Sequence, residues 1–164
     1  GSLHFVALTS TCSRVGGCGT GSPQYEWLKA DLESSTASCT AAYWHHPRFS
    51  SGHYGDNSAY QPFWQLLYND GAEIVLNGHD HNYQRYAPMT PSGTRDDAQG
   101  IREFVVGTGG KSRYAVASSG TNRQVANGDT YGVIKLTLRP GGYDWRFVPE
   151  AGKTFTDSGS GSCH

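Results

Sequence analysis

Ile74-Val75-Leu76-Asn77-Gly78-His79-Asp80-His81 is the stretch that decides how this chain folds. Three consecutive apolar residues read as a short strand covered on both faces, the pattern of a parallel sheet flanked by helices. Gly78 takes the chain off the strand end, and two histidines follow at alternate positions. In an extended or turning segment such side chains reach into a shared cleft or flank it. Upstream, Thr40 to Trp44 is a second nearly unbroken apolar run, expected to be buried on both faces. His45-His46-Pro47 ends it, because proline cannot donate to a sheet ladder. Ligands of open α/β sheets bind at the carboxyl ends of the strands. Two separate strands therefore carry histidines to one edge of the sheet, and His53 follows in a Gly/Ser-rich loop.

Leu3 to Leu8 reads as a further strand at the start of the chain. Ser22-Pro23 opens a helix, with Ser22 as N-cap and Pro23 at the first helical position. Tyr25, Leu28 and Leu32 give that helix one apolar face. A second helix is expected from about Ser58 to Asn69, carrying Phe63, Leu66 and Leu67 and stopped by Asp70-Gly71. The order strand, helix, strand, helix, strand implies parallel pairing. Arg102 to Val106, Tyr131 to Leu138 and Tyr143 to Val148 read as later strands, the last two joined at Pro140-Gly141-Gly142. The expectation is an α/β fold in one domain over residues 1–164: a mixed sheet, two helices and a C-terminal antiparallel hairpin. By composition the tail from Asp157 to Ser162 reads as disordered.

The 164 residues carry a formal net charge of -1, with 13 basic residues against 14 acidic ones. Such a balance builds no field to steer nucleic acid or an anionic membrane. No apolar run approaches the roughly 20 residues that span a bilayer. No basic, apolar leader opens the sequence, so a signal peptide would already be gone. Aromatic residues at 12% argue against a disordered chain.

Cys12, Cys18, Cys39 and Cys163 make an even count with no Cys-x-x-Cys, which fits disulfides and an extracellular location. Three pairings are open. Gly16-Gly17 makes a small Cys12–Cys18 loop sterically easy, which leaves Cys39 with Cys163. That second bridge would close most of the chain and hold the tail.

Buried imidazoles are good ligands for transition metals. The element Gly78-His79-Asp80-His81-Asn82-Tyr83-Gln84-Arg85 resembles the Gly-His-x-His-x-Tyr-x-Arg signature of calcineurin-like metallophosphoesterases of the purple acid phosphatase type. His45-His46-Pro47 resembles that family's strand-end His-x-Pro, and Gly107-Thr108-Gly109-Gly110 its glycine loop. The likeness runs from Leu3 to about Val148 and implies the C-terminal half of the family's αββα sandwich.

The resemblance implies hydrolysis of phosphate mono- or diesters by a metal-bound hydroxide. The family uses two metals about 3.5 Å apart, drawn from Zn, Fe or Mn. It implies His45 and His79 on one metal and His81 on the other. His53 matches a loop histidine that contacts the phosphate or protonates the leaving group. Tyr83 and Arg85 are expected to support the loop. Asp80, at the variable position, is expected to be solvated or to support a neighbour. Lone His4 and His164 read as ordinary core or surface residues.

The family's Asp-x-His, bridging Gly-Asp and Gly-Asn-His motifs are not among these residues. Gly55-Asp56 and Gly128-Asp129 do not follow a buried parallel strand. Two uncompensated cations would repel, so at most one metal is expected here. The expected partners are a phosphoester, an N-terminal half or a second copy covering the exposed sheet, and neither nucleic acid nor membrane. The alternative is a non-catalytic module of the same ancestry that binds a metal, a sugar or a protein.

Overall fold

The computed structural model describes residues 3–117 and 119–164. Four short strands, β1 (His4–Ala7), β2 (Thr40–Tyr43), β3 (Ile74–Asn77) and β5 (Arg102–Val106), pair in parallel in that order. Beyond β5 the sheet turns antiparallel through β4 (Tyr83–Tyr86) and β6 (Arg123–Asn127), giving the order β1-β2-β3-β5-β4-β6. A second sheet, β7 (Gly132–Arg139), β8 (Gly142–Pro149) and β9 (Ser158–Ser162), is antiparallel throughout.

Helix α1 (Pro23–Ser34) starts where expected: the Ser22 hydroxyl accepts from the Tyr25 amide at 3.3 Å, and Leu28 and Leu32 are buried. Helix α2 (Gln61–Asp70) starts later than the sequence suggested, because Ser58–Tyr60 winds as a tighter 3-10 turn capped by Asn57. Gly71 ends α2 at φ +80°, a left-handed stop that glycine adopts without strain.

Period-2 alternation divides the central strands between two cores. Ala42, Val75 and Val105 pack with Leu28, Phe63, Trp64 and Leu67 of the helices. Their neighbours Ala41, Ile74 and Phe104 pack with Tyr143, Trp145 and Phe147 of β8. The mixed sheet thus lies between a helical layer and the three-stranded sheet. Burial on both faces holds for Thr40, Ala41 and Ala42 but fails at Tyr43, which is 46% exposed at the strand end.

The tail is a correction to the sequence reading: Ser158–Ser162 is a strand, paired to β8 from Gly142↔Ser162 to Arg146↔Ser158. Both of its ends are tied. Asp157 accepts from Tyr83, Arg85 and Trp145, and Cys163 is bonded to Cys39 with their Cα atoms 5.4 Å apart. A second disulfide joins Cys12 to Cys18.

Candidate metal centre

Beyond the last residues of β2 and β3 the backbone stays zipped. The Trp44 amide donates to the Leu76 carbonyl at 3.2 Å, and the Gly78 amide to the His45 carbonyl at 2.9 Å. The Asn77 side-chain amide donates to the Trp44 carbonyl at 3.0 Å. Register is therefore kept past the sheet, and the two strand ends deliver their histidines side by side. His79 Nδ1 lies 3.1 Å from His45 Nε2. His79 adopts φ +62°, a left-handed conformation uncommon outside glycine and a cost that functional sites often carry.

His46 completes the cluster. One ring nitrogen each from His45, His46 and His79 lie within 4.8 Å of one another. The Ser10 hydroxyl oxygen sits 2.7 Å from His46 Nδ1 and accepts the His46 amide at 3.1 Å. Tyr60 stacks on the same imidazole at 6.0 Å between centroids and donates its hydroxyl to the Ser10 carbonyl. The sequence reading passed over His46. The available signal was its place beside His45 at a turn, where consecutive side chains need not diverge as they do along a strand.

His81 stands outside that trio. Its Nδ1 lies 2.6 Å from the Ser112 carbonyl, and its ring stacks on Tyr114 at 4.1 Å. His53 is exposed, with Tyr54 and Tyr114 at 4.8 and 5.5 Å. Tyr54 in turn packs on His79 at 4.1 Å. The five rings form one aromatic patch, in which His53 and Tyr54 are exposed.

Asp80 is fully buried and not solvated. Its carboxylate accepts from the Ser50 hydroxyl and from the Tyr54 amide. Gln84, also buried, donates to Ser50 and Asn82 and accepts from Ser51 and Tyr86. This network ties the loop bearing His53 to the turn bearing His79. A Cβ on Gly52 would fall on the Asp80 carboxylate, and one on Gly107 would fall on the Asp80 carbonyl. The first glycine of the Gly107–Gly110 loop is therefore needed for close approach. Tyr83 and Arg85 do not brace this loop. They sit on β4 and hold Asp157 from the other side of the sheet.

Burial, then the neighbouring His79 and His45, lower the His46 pKa. Burial and His45 lower that of His79, against the pull of Asp80. Both shifts favour neutral imidazoles, the form with a lone pair to give a cation. The grouped donor set is all nitrogen, and the nearby Asp80 and Asp56 carboxylates accept hydrogen bonds from Ser50 and Tyr54. Such a set fits Zn or Fe better than a hard, oxygen-seeking cation. The 3.1 Å between His45 Nε2 and His79 Nδ1 is close to the roughly 3.3 Å edge of a tetrahedron with Zn–N bonds of about 2.0–2.1 Å.

No protein-family model matches the chain. Purple acid phosphatase 15 of Arabidopsis thaliana is 38% identical over 91 residues, 52% of this chain and 16% of that protein. Purple acid phosphatase 21 of the same plant is 32% identical over 95 residues, 54% of this chain and 21% of its own length. The chain thus spans about a sixth to a fifth of these relatives. Among solved structures, purple acid phosphatase PPD1 from yellow lupin (Lupinus luteus) seeds superposes with a TM-score of 0.85 at 20% identity, covering 99% of this chain and 31% of that one. GAP50, the anchor in the inner membrane complex of Plasmodium, gives 0.76 at 16% identity over 99% of this chain and half of its own. In sequence over about half its length, and in fold over nearly all of it, the chain is related to the purple acid phosphatases, which are calcineurin-like metallophosphoesterases.

Proposed function

We propose that this chain supplies the histidine-bearing part of a secreted, metal-dependent phosphoester hydrolase. The observation that carries the reading is the 3.1 Å approach of His45 and His79 across two neighbouring strand ends, in a chain whose curated relatives are phosphatases. Two disulfides support an oxidising compartment. His45 and His79 would hold one cation, and His81, with its Nε2 left open by the Ser112 contact, would serve a second. When bound, a transition metal polarises the phosphoryl oxygen and lowers the pKa of water.

The protein's own share is positional. The Asp80 network fixes the His79 turn and the His53 loop relative to each other. His53 presents an exposed imidazole able to donate a proton to a leaving oxygen. Tyr54 and Tyr114 form an aromatic floor that suits an aryl or other flat leaving group.

The test is phosphate release from an aryl phosphate with added Zn, Fe or Mn. It is run on the 164 residues alone and together with a segment carrying the family's Gly-Asp and Gly-Asn-His motifs. Turnover only in the combined protein is the expected result. Strong chelator-resistant turnover by the 164 residues alone would overturn the mechanism. No turnover in either would favour a second reading, a binding module on the same fold, which the likeness to an anchor protein makes concrete.

A further inference from the structure

The resemblance to metallophosphoesterases draws His45, His79 and His81 together, yet the structure groups a different third histidine. We infer that His46, oriented by Ser10, is a metal ligand, and that His45, His46 and His79 form a self-contained mononuclear site for a borderline transition metal such as Zn.

Three observations carry this. First, the trio is compact: ring nitrogens lie within 4.8 Å, and the His46 and His79 ring centroids are 4.1 Å apart. Second, His46 is held the way ligand imidazoles are held. A ligating histidine donates its other ring N–H to an oxygen, which fixes tautomer and orientation. Ser10 Oγ, 2.7 Å from Nδ1, is such an oxygen, and it leaves Nε2 as the donor to a cation. Ser10 is itself placed rather than free: it is buried, and its carbonyl accepts from Tyr60. Third, His81 is not one of the grouped imidazoles: its ring stacks on Tyr114, with Nδ1 on the Ser112 carbonyl. Three protein nitrogens with a fourth position left for water or substrate are the donor arrangement of a catalytic rather than a structural zinc site.

The inference concerns the metal part of the proposed function and is independent of any hydrolysis. Binding of Zn by competition with a chromophoric chelator, and the visible spectrum of bound Co, are measured on the 164-residue chain. Circular dichroism of each variant serves as the folding control. One equivalent is expected to bind. Ser10→Ala should weaken it by about 10–100-fold, His46→Ala should weaken it further, and His4→Ala, on β1 and paired with Asp31, should leave it unchanged, while His81→Ala tests the family-type assignment. Long-range 15N correlations should show the His45, His46 and His79 ring nitrogens moving on Zn addition while those of His81 stay still. Ser10→Ala keeps every imidazole, so it remains informative if His46→Ala misfolds. Loss of binding in His81→Ala with none in His46→Ala and Ser10→Ala would overturn the inference and leave the family-type metal assignment standing. No binding by the folded chain would also overturn it, while the hydrolase reading is still decided by the combined protein.

Discussion

Arg85 and Asp157 meet at two points, Nε to Oδ2 at 2.7 Å and Nη2 to Oδ1 at 3.1 Å, with both side chains largely buried. Tyr83 and Trp145 donate to the same carboxylate at 2.7 and 3.2 Å. One acidic residue thus joins β4, β8 and the start of β9. Asp157→Ala leaves a guanidinium, a hydroxyl and an indole N–H without their acceptor. It should cost about 3–5 kcal/mol by urea denaturation, the scale for breaking a buried pair. Asp157→Asn, which keeps one acceptor oxygen, should cost less.

The same residue sets an acid limit. Burial alone would raise its pKa, but hydrogen bonds from Arg85, Tyr83 and Trp145 outweigh it and hold the carboxyl below its usual range. A depressed folded-state pKa contributes stability above the unfolded value and loses it as pH falls through the folded one. Stability should therefore fall as pH is lowered below about 4. A denaturation series across pH should show that slope flattened in Asp157→Asn.

Glycine substitutions separate close approach from mere flexibility. Gly107→Ala would press a Cβ against the Asp80 carbonyl, and Gly52→Ala one against its carboxylate. Each should cost about 1–3 kcal/mol, in line with overpacking. Gly109→Ala in the same loop meets nothing within 4 Å and should be nearly neutral. Thermal melts of the three variants check the contrast.

The two disulfides should differ in worth. Cys39–Cys163 spans 124 residues of sequence and Cys12–Cys18 only 6. In the chain-entropy account these loops correspond to about 5 and about 2 kcal/mol. Paired serine variants at each bridge, compared by denaturant midpoint, should rank in that order. Loss of the longer bridge should also raise amide exchange in β9.

In the combined protein, His79→Ala should reduce phosphate release more than His53→Ala, whose loss of one proton donor is worth about 10²–10⁴-fold. Steady-state assays of both variants decide it. An unchanged rate in His53→Ala would remove that residue from the chemistry.

The parallel strands, the helices and the late hairpin were legible because each carries its own apolar period. β4 was not. Its Gln84 is fully buried, and its Arg85 is paired across the sheet with Asp157. Both are polar residues made tolerable only by partners far along the chain. β6, Arg-Gln-Val-Ala-Asn, has no fully buried residue and owes its state to pairing with β4. The histidines at 45 and 79 could be placed from the ends of apolar strands. His46 carried only its place beside His45 at the turn as a signal, and what orients it, Ser10, lies 36 residues away in a loop whose course no local pattern sets.

The Ser-Gly-Ser-Gly-Ser run of β9 inverts the usual strand code. Glycine occupies the inward positions because the rings of Trp145 and Tyr143 already fill the space where Cβ atoms of residues 159 and 161 would stand. With Asp157 fastened at one end and Cys163 at the other, the segment behaves as a ruler whose parity matters more than its lettering. The outward serines can drift to almost any small polar residue without disturbing the sheet. Inserting a single residue between the two fastenings would turn side chains onto the rings and unseat the strand, whereas inserting two would restore the phase and leave only slack to absorb.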